Sequence, residues 1–360
     1  MPAGLRTLAR AVGRPWLSPV SRPWPAAVLG GALFAVGGVG VAHAGGRAAA
    51  PATTIAPLNG QNQVRAFGAV QAWTDYRLED KRWHVVVRTA GQISTPLAVP
   101  AGDERLAVDV GPGQDGRPTL AYLSCSDQCR VVIAGLDGSG AQTVPGSEGA
   151  SAPTISGSRV AWVRGRASVL MRDMASGRVT RLPGVPLRKC YAPLGHRRCE
   201  RPSGRSVQAL ELNGSRLALI VGYGLSQGGG NGQTEVRTEL VSGRPRPQLV
   251  ALMNVGEGGQ AFAGPSWARG NLFFFKSCPC GRAQGVYRFD PVRGKYAMAV
   301  GTKPLAGFAI DADGRRAFQA LDPTPGIGER ADTADVPTTL ELTGPLNFTR
   351  TRPPIAKPGA

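Results

Sequence analysis

Six cysteines form three close pairs: Cys125 with Cys129, Cys190 with Cys199, and Cys278 with Cys280. An even count at such short spacings points to disulfides, paired locally, in an oxidising compartment. A bridge between Cys125 and Cys129 would staple a hairpin; so short a loop gains little chain entropy, so its use is to hold the loop's shape. Cys278-Pro279-Cys280 is the harder pair, because a bridge across one intervening residue is strained and more reducible. Redox chemistry, or a metal site shared with Cys125 and Cys129, competes with a structural bridge there. Beyond residue 44 the only histidines are His84 and His196, neither beside these cysteines, so structural disulfides are the expectation.

Other patterns fail their own requirements. Gly224-Leu225-Ser226-Gln227-Gly228 has the form of a nucleophile elbow. The elbow needs a helix directly after its serine, whereas Gly228-Gly229-Gly230-Asn231-Gly232 follows, and no histidine comes after His196. Asp311-Ala312-Asp313-Gly314 opens like a calcium loop but lacks the later ligands. Asp75, Asp127, Glu211, Glu235 and Asp290 could serve paired-carboxylate glycoside chemistry, yet the sequence singles out no pair. No cofactor is implied, and no catalytic or metal-binding residue is assigned.

The elements that must position these residues recur. Six segments read as a turn followed by a short apolar strand, ending at Trp73, Tyr122, Trp162, Leu219, Phe274 and Phe318. The first, second, third and sixth end points, like the rest, are separated by regular steps of 49, 40, 57, 55 and 44 residues, a mean of 49. A second landmark, a turn glycine after a β-rich run (Gly91, Gly138, Gly177, Gly243, Gly294, Gly344), recurs at a mean of 50.6. With 50 glycines and 30 prolines and almost no sustained helical period, the unit is about four antiparallel strands. One such sheet leaves both faces uncovered; packed radially, each face is covered by a neighbour. The fold class is therefore all-β, a six-bladed β-propeller of four-stranded antiparallel blades, with seven the alternative count. Blades are expected near 64–100, 105–146, 152–184, 207–253, 262–301 and 306–349.

The elements Ile155-Ser156-Gly157-Ser158-Arg159-Val160-Ala161-Trp162, Met171-Arg172-Asp173-Met174-Ala175-Ser176-Gly177-Arg178 and Ile310 to Phe318 resemble the repeat of TolB-like, WD-like six-bladed propellers, among them exported bacterial ones. The resemblance spans roughly residues 61–349 and implies blade geometry rather than chemistry. The first blade departs from it in lacking an acidic turn before Val70, and the fourth carries a long glycine-rich loop.

Residues 1–44 read as a signal peptide: Arg6, Arg10, Arg14 and Arg22, an apolar run from Ala26, and Ala42-His43-Ala44 before the scissile bond. The competing reading is an uncleaved anchor, the chain's sole expected route into a membrane. A secreted or extracytoplasmic location follows. Removal of this segment leaves 38 basic and 24 acidic side chains, a net +14. Such a field attracts anionic envelope polymers, though an arginine-rich composition alone could produce it; no basic run interleaved with aromatics points to nucleic acid. Residues 45–60 read as a linker and 350–360 as a disordered tail, while either Thr53–Leu58 or Leu346–Thr349 could supply the strand that closes the ring.

The longest insertions, 75–82, 124–130, 222–234, 276–284 and 322–335, all fall between second and third strands, and so on one face together with the basic 188–201 connection. The functional expectation is a non-catalytic propeller binding a protein or an anionic envelope polymer through that face. The alternative is a secreted polysaccharide hydrolase or lyase with acids in the central channel.

Overall fold

The structure, a computed structural model, describes residues 51–59, 63–185, 187–191, 198–224, 232–241, 247–255, 261–277, 284–300, 305–321 and 337–355. Among them every regular element is a strand, as expected where glycine and proline cut the chain into short apolar runs. Counted from the axis outward, blade 1 is Arg65–Phe67, Val70–Arg77, Arg82–Thr89 and Gln92–Ser94. Blade 2 is Val108–Pro112, Pro118–Cys125, Cys129–Ala134 and Gln142–Thr143, and blade 3 is Ala150–Ser156, Arg159–Arg164, Ser168–Asp173 and Val179–Leu182. Blade 4 is Ser203–Asn213, Arg216–Gly224, Gly232–Leu240 and Gln248–Val255. Blade 5 begins with Ala261–Ala268, Asn271–Ser277, Gly285–Asp290 and Lys295–Val300; blade 6 begins with Leu305–Ile310, Ala317–Leu321 and Pro337–Leu342.

The first sequence landmark is the hairpin between the first and second strands of each blade. Its glycines, Gly68, Gly116, Gly157, Gly214, Gly270 and Gly314, all have φ between +56° and +78°, a region that L side chains enter only at a cost. That shared requirement is why the pattern repeats.

Six apolar clusters hold the ring together, and each joins two neighbouring blades. Blade 3 meets blade 4 through Val169, Met171, Leu217 and Leu219; blade 4 meets blade 5 through Ile220, Val236, Phe274 and Phe289. Val85 and Leu120 join blades 1 and 2, Leu123 and Trp162 join blades 2 and 3, and Phe273 and Phe308 join blades 5 and 6. Trp73 and Phe318 join blade 6 back to blade 1, so the ring closes at six blades and needs no seventh.

Closure comes from the N-terminal side. Thr53–Asn59, at the end of the segment expected to be a linker, is the outer strand of blade 6, with Thr53 opposite Leu342 and Asn59 opposite Pro337. It carries Leu58 into the interface with blade 1. The competing segment is placed elsewhere: Thr349–Thr351 forms a fifth strand on blade 5, pairing with Tyr296–Met298. The chain then runs on to blade 4, where Ile355 bridges Leu252. The first residues of the expected loose tail are thus tied to the rim by backbone hydrogen bonds.

Candidate functional site

The inner strands place six equivalent residues around the axis. Pairing against the second strands, Arg65 lies opposite Ala72, Asp109 opposite Ala121, Thr154 opposite Ala161, Glu211 opposite Ala218, Ser266 opposite Phe273 and Ala309 opposite Phe318. Four of them accept a backbone N–H from the next blade: Ile155 donates to Asp109 at 3.0 Å, Leu212 to Thr154 at 2.9 Å, Trp267 to Glu211 at 2.8 Å and Ile310 to Ser266 at 3.1 Å. Inner strands expose backbone donors that no sheet neighbour can take, and buried donors must be satisfied; an oxygen-bearing side chain at this position satisfies them and stitches the blades in sequence.

Arg65 and Ala309 cannot accept, so the stitching stops at blade 1. Arg65 instead crosses the axis, donating from Nη1 to Glu211 Oε2 at 3.2 Å and to the Pro265 carbonyl at 3.2 Å. The pair plugs the channel. Burial pushes the Glu211 carboxyl up to about 8, against the pull of Arg65 and with a further push from the charge of Asp109. Both Glu211 oxygens are engaged, one by Trp267 and one by Arg65.

Above this plug a cavity of about 360 Å³ opens on the face of the first hairpins, lined by one turn from every blade: Phe67, Pro112, Ser156, Asn213, Arg269 and Ala312. Strand direction alternates, so this face is opposite the one carrying the connections between second and third strands. The central cavity and the long insertions are on different faces.

On the insertion face, Lys189–Tyr191 and Arg198–Glu200 form a hairpin between blades 3 and 4, with Cys190 opposite Cys199 and bridged to it. Lys189 is ion-paired with Glu235 on the third strand of blade 4 and lies 5.5 Å from the centre of the Tyr223 ring. The Tyr223 hydroxyl donates to Glu235 Oε1 at 2.6 Å, and its own ionisation is pushed up by burial and then by the Glu235 charge. Arg237 reaches back to the Gly184 carbonyl at 3.2 Å. Alternate residues of this strand on its blade 3 side, Glu235, Arg237 and Glu239, therefore form a polar seam in the otherwise apolar contact between blades 3 and 4.

The remaining acids are dispersed. Asp75, on blade 1, accepts from the Asn59 N–H at 3.0 Å and is raised by burial. Asp127 sits in the turn between Cys125 and Cys129, which are bridged. Asp290 caps a turn of blade 5, where the N–H groups of Arg293 and Val292 hold its carboxyl below the usual range. Glu211 and Glu235 share blade 4 but face the channel and the blade 3 seam respectively. Asp311 takes the N–H groups of Arg315 and Arg316 in a hairpin turn. His84 pairs with Asp80 at 2.7 Å. Among the described residues no group of three or more His, Cys, Asp and Glu could hold a metal. Ser226, His196, Cys278 and Cys280 lie outside the described residues, as does the signal segment. Arg65 was missed by the sequence reading; its place opposite Ala72 in the repeat was the available signal.

No family profile and no curated protein sequence matches the chain. Solved structures do. The chain is similar to the β-propeller domain of the Trilobed protease from Pyrococcus furiosus, described as having an open velcro topology, at 10% identity and a TM-score of 0.43, covering 82% of this chain and 99% of that one. The WD40 repeats of RRP9 match at 11% identity and a TM-score of 0.46, covering 82% and 98%. An oligogalacturonate lyase in complex with manganese matches at 9% identity and a TM-score of 0.40, covering 77% and 74%. The likeness is one of fold.

Proposed function

We propose that this β-propeller is exported, belongs to the TolB-like, WD-like kind, and holds an acidic protein or an anionic envelope polymer against its insertion face without catalysing a reaction. The observation that carries this reading is the bridged hairpin at residues 189–200. It is locked to blade 4 through Lys189 and Glu235, and its flanks present the exposed Arg188 and Arg201. A strand pair fixed by a disulfide and an ion pair, with exposed arginines beside it, loses little conformational entropy when it meets an acidic partner. Two disulfides support an oxidising compartment. Against a glycosidase stands the state of Glu211, whose two oxygens are both committed to structural partners.

The test uses the chain from Gly45 onward, purified from an oxidising compartment, and measures binding to poly-glutamate and to poly(glycerol phosphate) at low and high salt. Retention at low salt that falls with salt, and that drops about tenfold in an Arg188→Glu/Arg201→Glu variant, is expected. Polymer length is followed in the same samples. Shortened polymer would replace this reading with the enzymatic one, and undiminished binding by the variant would remove the hairpin from it.

A further inference from the structure

The contact between blades 5 and 6 differs from the other five. After its third strand, blade 6 sends the chain inward along 343–348 and across to blade 5, where Thr349 begins the extra strand. This leg is tied to blade 6, the Thr343 N–H donating to the Ala317 carbonyl at 2.9 Å and the Leu346 N–H to that of Arg315 at 2.7 Å, and a cleft of about 570 Å³ lies between the blades beside it, on the hairpin face.

Arg269, Arg288 and Arg315 line the cleft, and Asp313 is the only acid in its wall. Asp313 is paired with Arg269. Arg288 and Arg315 have no carboxylate partner among the described residues. Arg288 is held in place by stacking, its guanidinium carbon 4.9 Å from the centre of the Phe348 ring. Stacking of this kind fixes the plane of a guanidinium while leaving its in-plane N–H donors free. Phe348 is itself anchored edge-on against the buried Phe273, with centroids 5.8 Å apart. Phe273 and Arg288 face each other in the strand register, with Ala297 and Arg350 continuing the same row. The row gives the cleft an aromatic floor and a positive rim.

We infer that this cleft is a binding site for an oxyanion, a carboxylate or a phosphate ester, carried on a ligand with an apolar face that rests against Phe348. Arg288 and Arg315 supply the fork-shaped donors that planar oxyanions match, and the unneutralised charge of the two guanidiniums supplies the attraction. The site is on the face opposite the bridged hairpin and does not depend on it. Its formation depends on the departure of 343–348 from the blade pattern, which no other blade shares.

The experiment is calorimetric titration of the chain with two probes, trigalacturonate and glycerol phosphate, with neutral galactotriose as the control. Binding of either anion and not of galactotriose is expected, and which anion binds more tightly identifies the oxyanion source. Loss of a charge-assisted pair costs about 1.5–3 kcal/mol, so Arg288→Gln and Arg315→Gln should each weaken binding about tenfold or more. Arg315 is exposed, so its variant keeps the test valid even if Arg288→Gln perturbs folding. Arg178→Glu, an exposed position on blade 3 outside both the cleft and the bridged hairpin, should leave this binding unchanged. No heat with either anion at low salt would overturn the inference. So would an equal loss on Arg178→Glu, which would trace the attraction to overall charge.

Discussion

The guanidinium of Arg65 on blade 1 meets the carboxylate of Glu211 on blade 4 at 3.2 Å, although the two blades stand on opposite sides of the ring. Both side chains are almost wholly withdrawn from solvent, at 4% and 11% exposure. Each of the other oxygen-bearing members of the inner ring reaches only the adjacent blade, so this contact alone spans the axis among them.

Removing one partner strands a buried charge, which costs about 3–5 kcal/mol, whereas replacing both with apolar residues is close to neutral. Arg65→Met is therefore expected to lower the urea midpoint sharply, and Arg65→Met/Glu211→Gln, which removes the charge yet keeps an acceptor for the Trp267 N–H, to recover part of the loss. A double-mutant cycle from urea unfolding measures this; additive single effects would mean the pair is not coupled.

Glu239 makes a prediction with a definite sign. It is 1% exposed, and neither carboxylate oxygen has a hydrogen-bond partner among the described residues. Burial pushes it up to about 7, opposed by Arg237, from an ordinary value of 4.5. Between those values the folded chain holds a proton that the unfolded chain has released, so stability falls as pH rises through that window. Glu211 adds a loss of the same sign, reaching to about 8. Glu239→Gln should raise the melting temperature at pH 8 by about 2 °C or more, with little change at pH 4.5. Equal shifts at both pH values would show that ionisation is not the cause.

Gly111 tests how closely the blades approach. A Cβ there would lie 2.1 Å from the Ile155 carbonyl oxygen of blade 3, with no positive φ to confuse the result. Gly111→Ala is expected to cost about 1–3 kcal/mol through overpacking. An unchanged unfolding midpoint would mean that blades 2 and 3 separate more easily than their packing implies.

Leu58, 3% exposed, carries the packing of the closing strand. Leu58→Ala should destabilise by about 2–5 kcal/mol, and hydrogen exchange should show blade 6 opening before the other blades. Uniform loss of protection around the ring would contradict a local seam.

The blades were legible because their constraint is local. A tight hairpin needs its glycine at positive φ, the following strand needs apolar residues on both faces, and both demands repeat in every copy. The bridges Cys125–Cys129 and Cys190–Cys199 are also local, each closing a hairpin whose strands bring the cysteines opposite one another. Arg65 and Glu211 were not legible as a pair, because their meeting depends on the diameter of the closed ring rather than on spacing along the chain. Glu211 and Glu235 looked alike as candidate acids; only strand alternation and register send one to the axis and the other to blade 3. Ring closure was undecided because Thr53–Leu58 and Leu346–Thr349 are both suitable outer strands. The turn at Gly344-Pro345 directs the second of them past its own blade.

Synthesis proceeds from the end of the chain that bears the closing strand. Thr53 waits for Leu342, and nearly every other blade must be made before that pairing can form. The assembly therefore resembles a belt whose tongue is issued first and whose buckle comes last. Until the buckle arrives, blades 1 and 6 each present an unsealed flank, and the entropy of bringing such distant segments together opposes closure. Any factor that shields those two flanks would speed maturation more than one acting anywhere else on the ring.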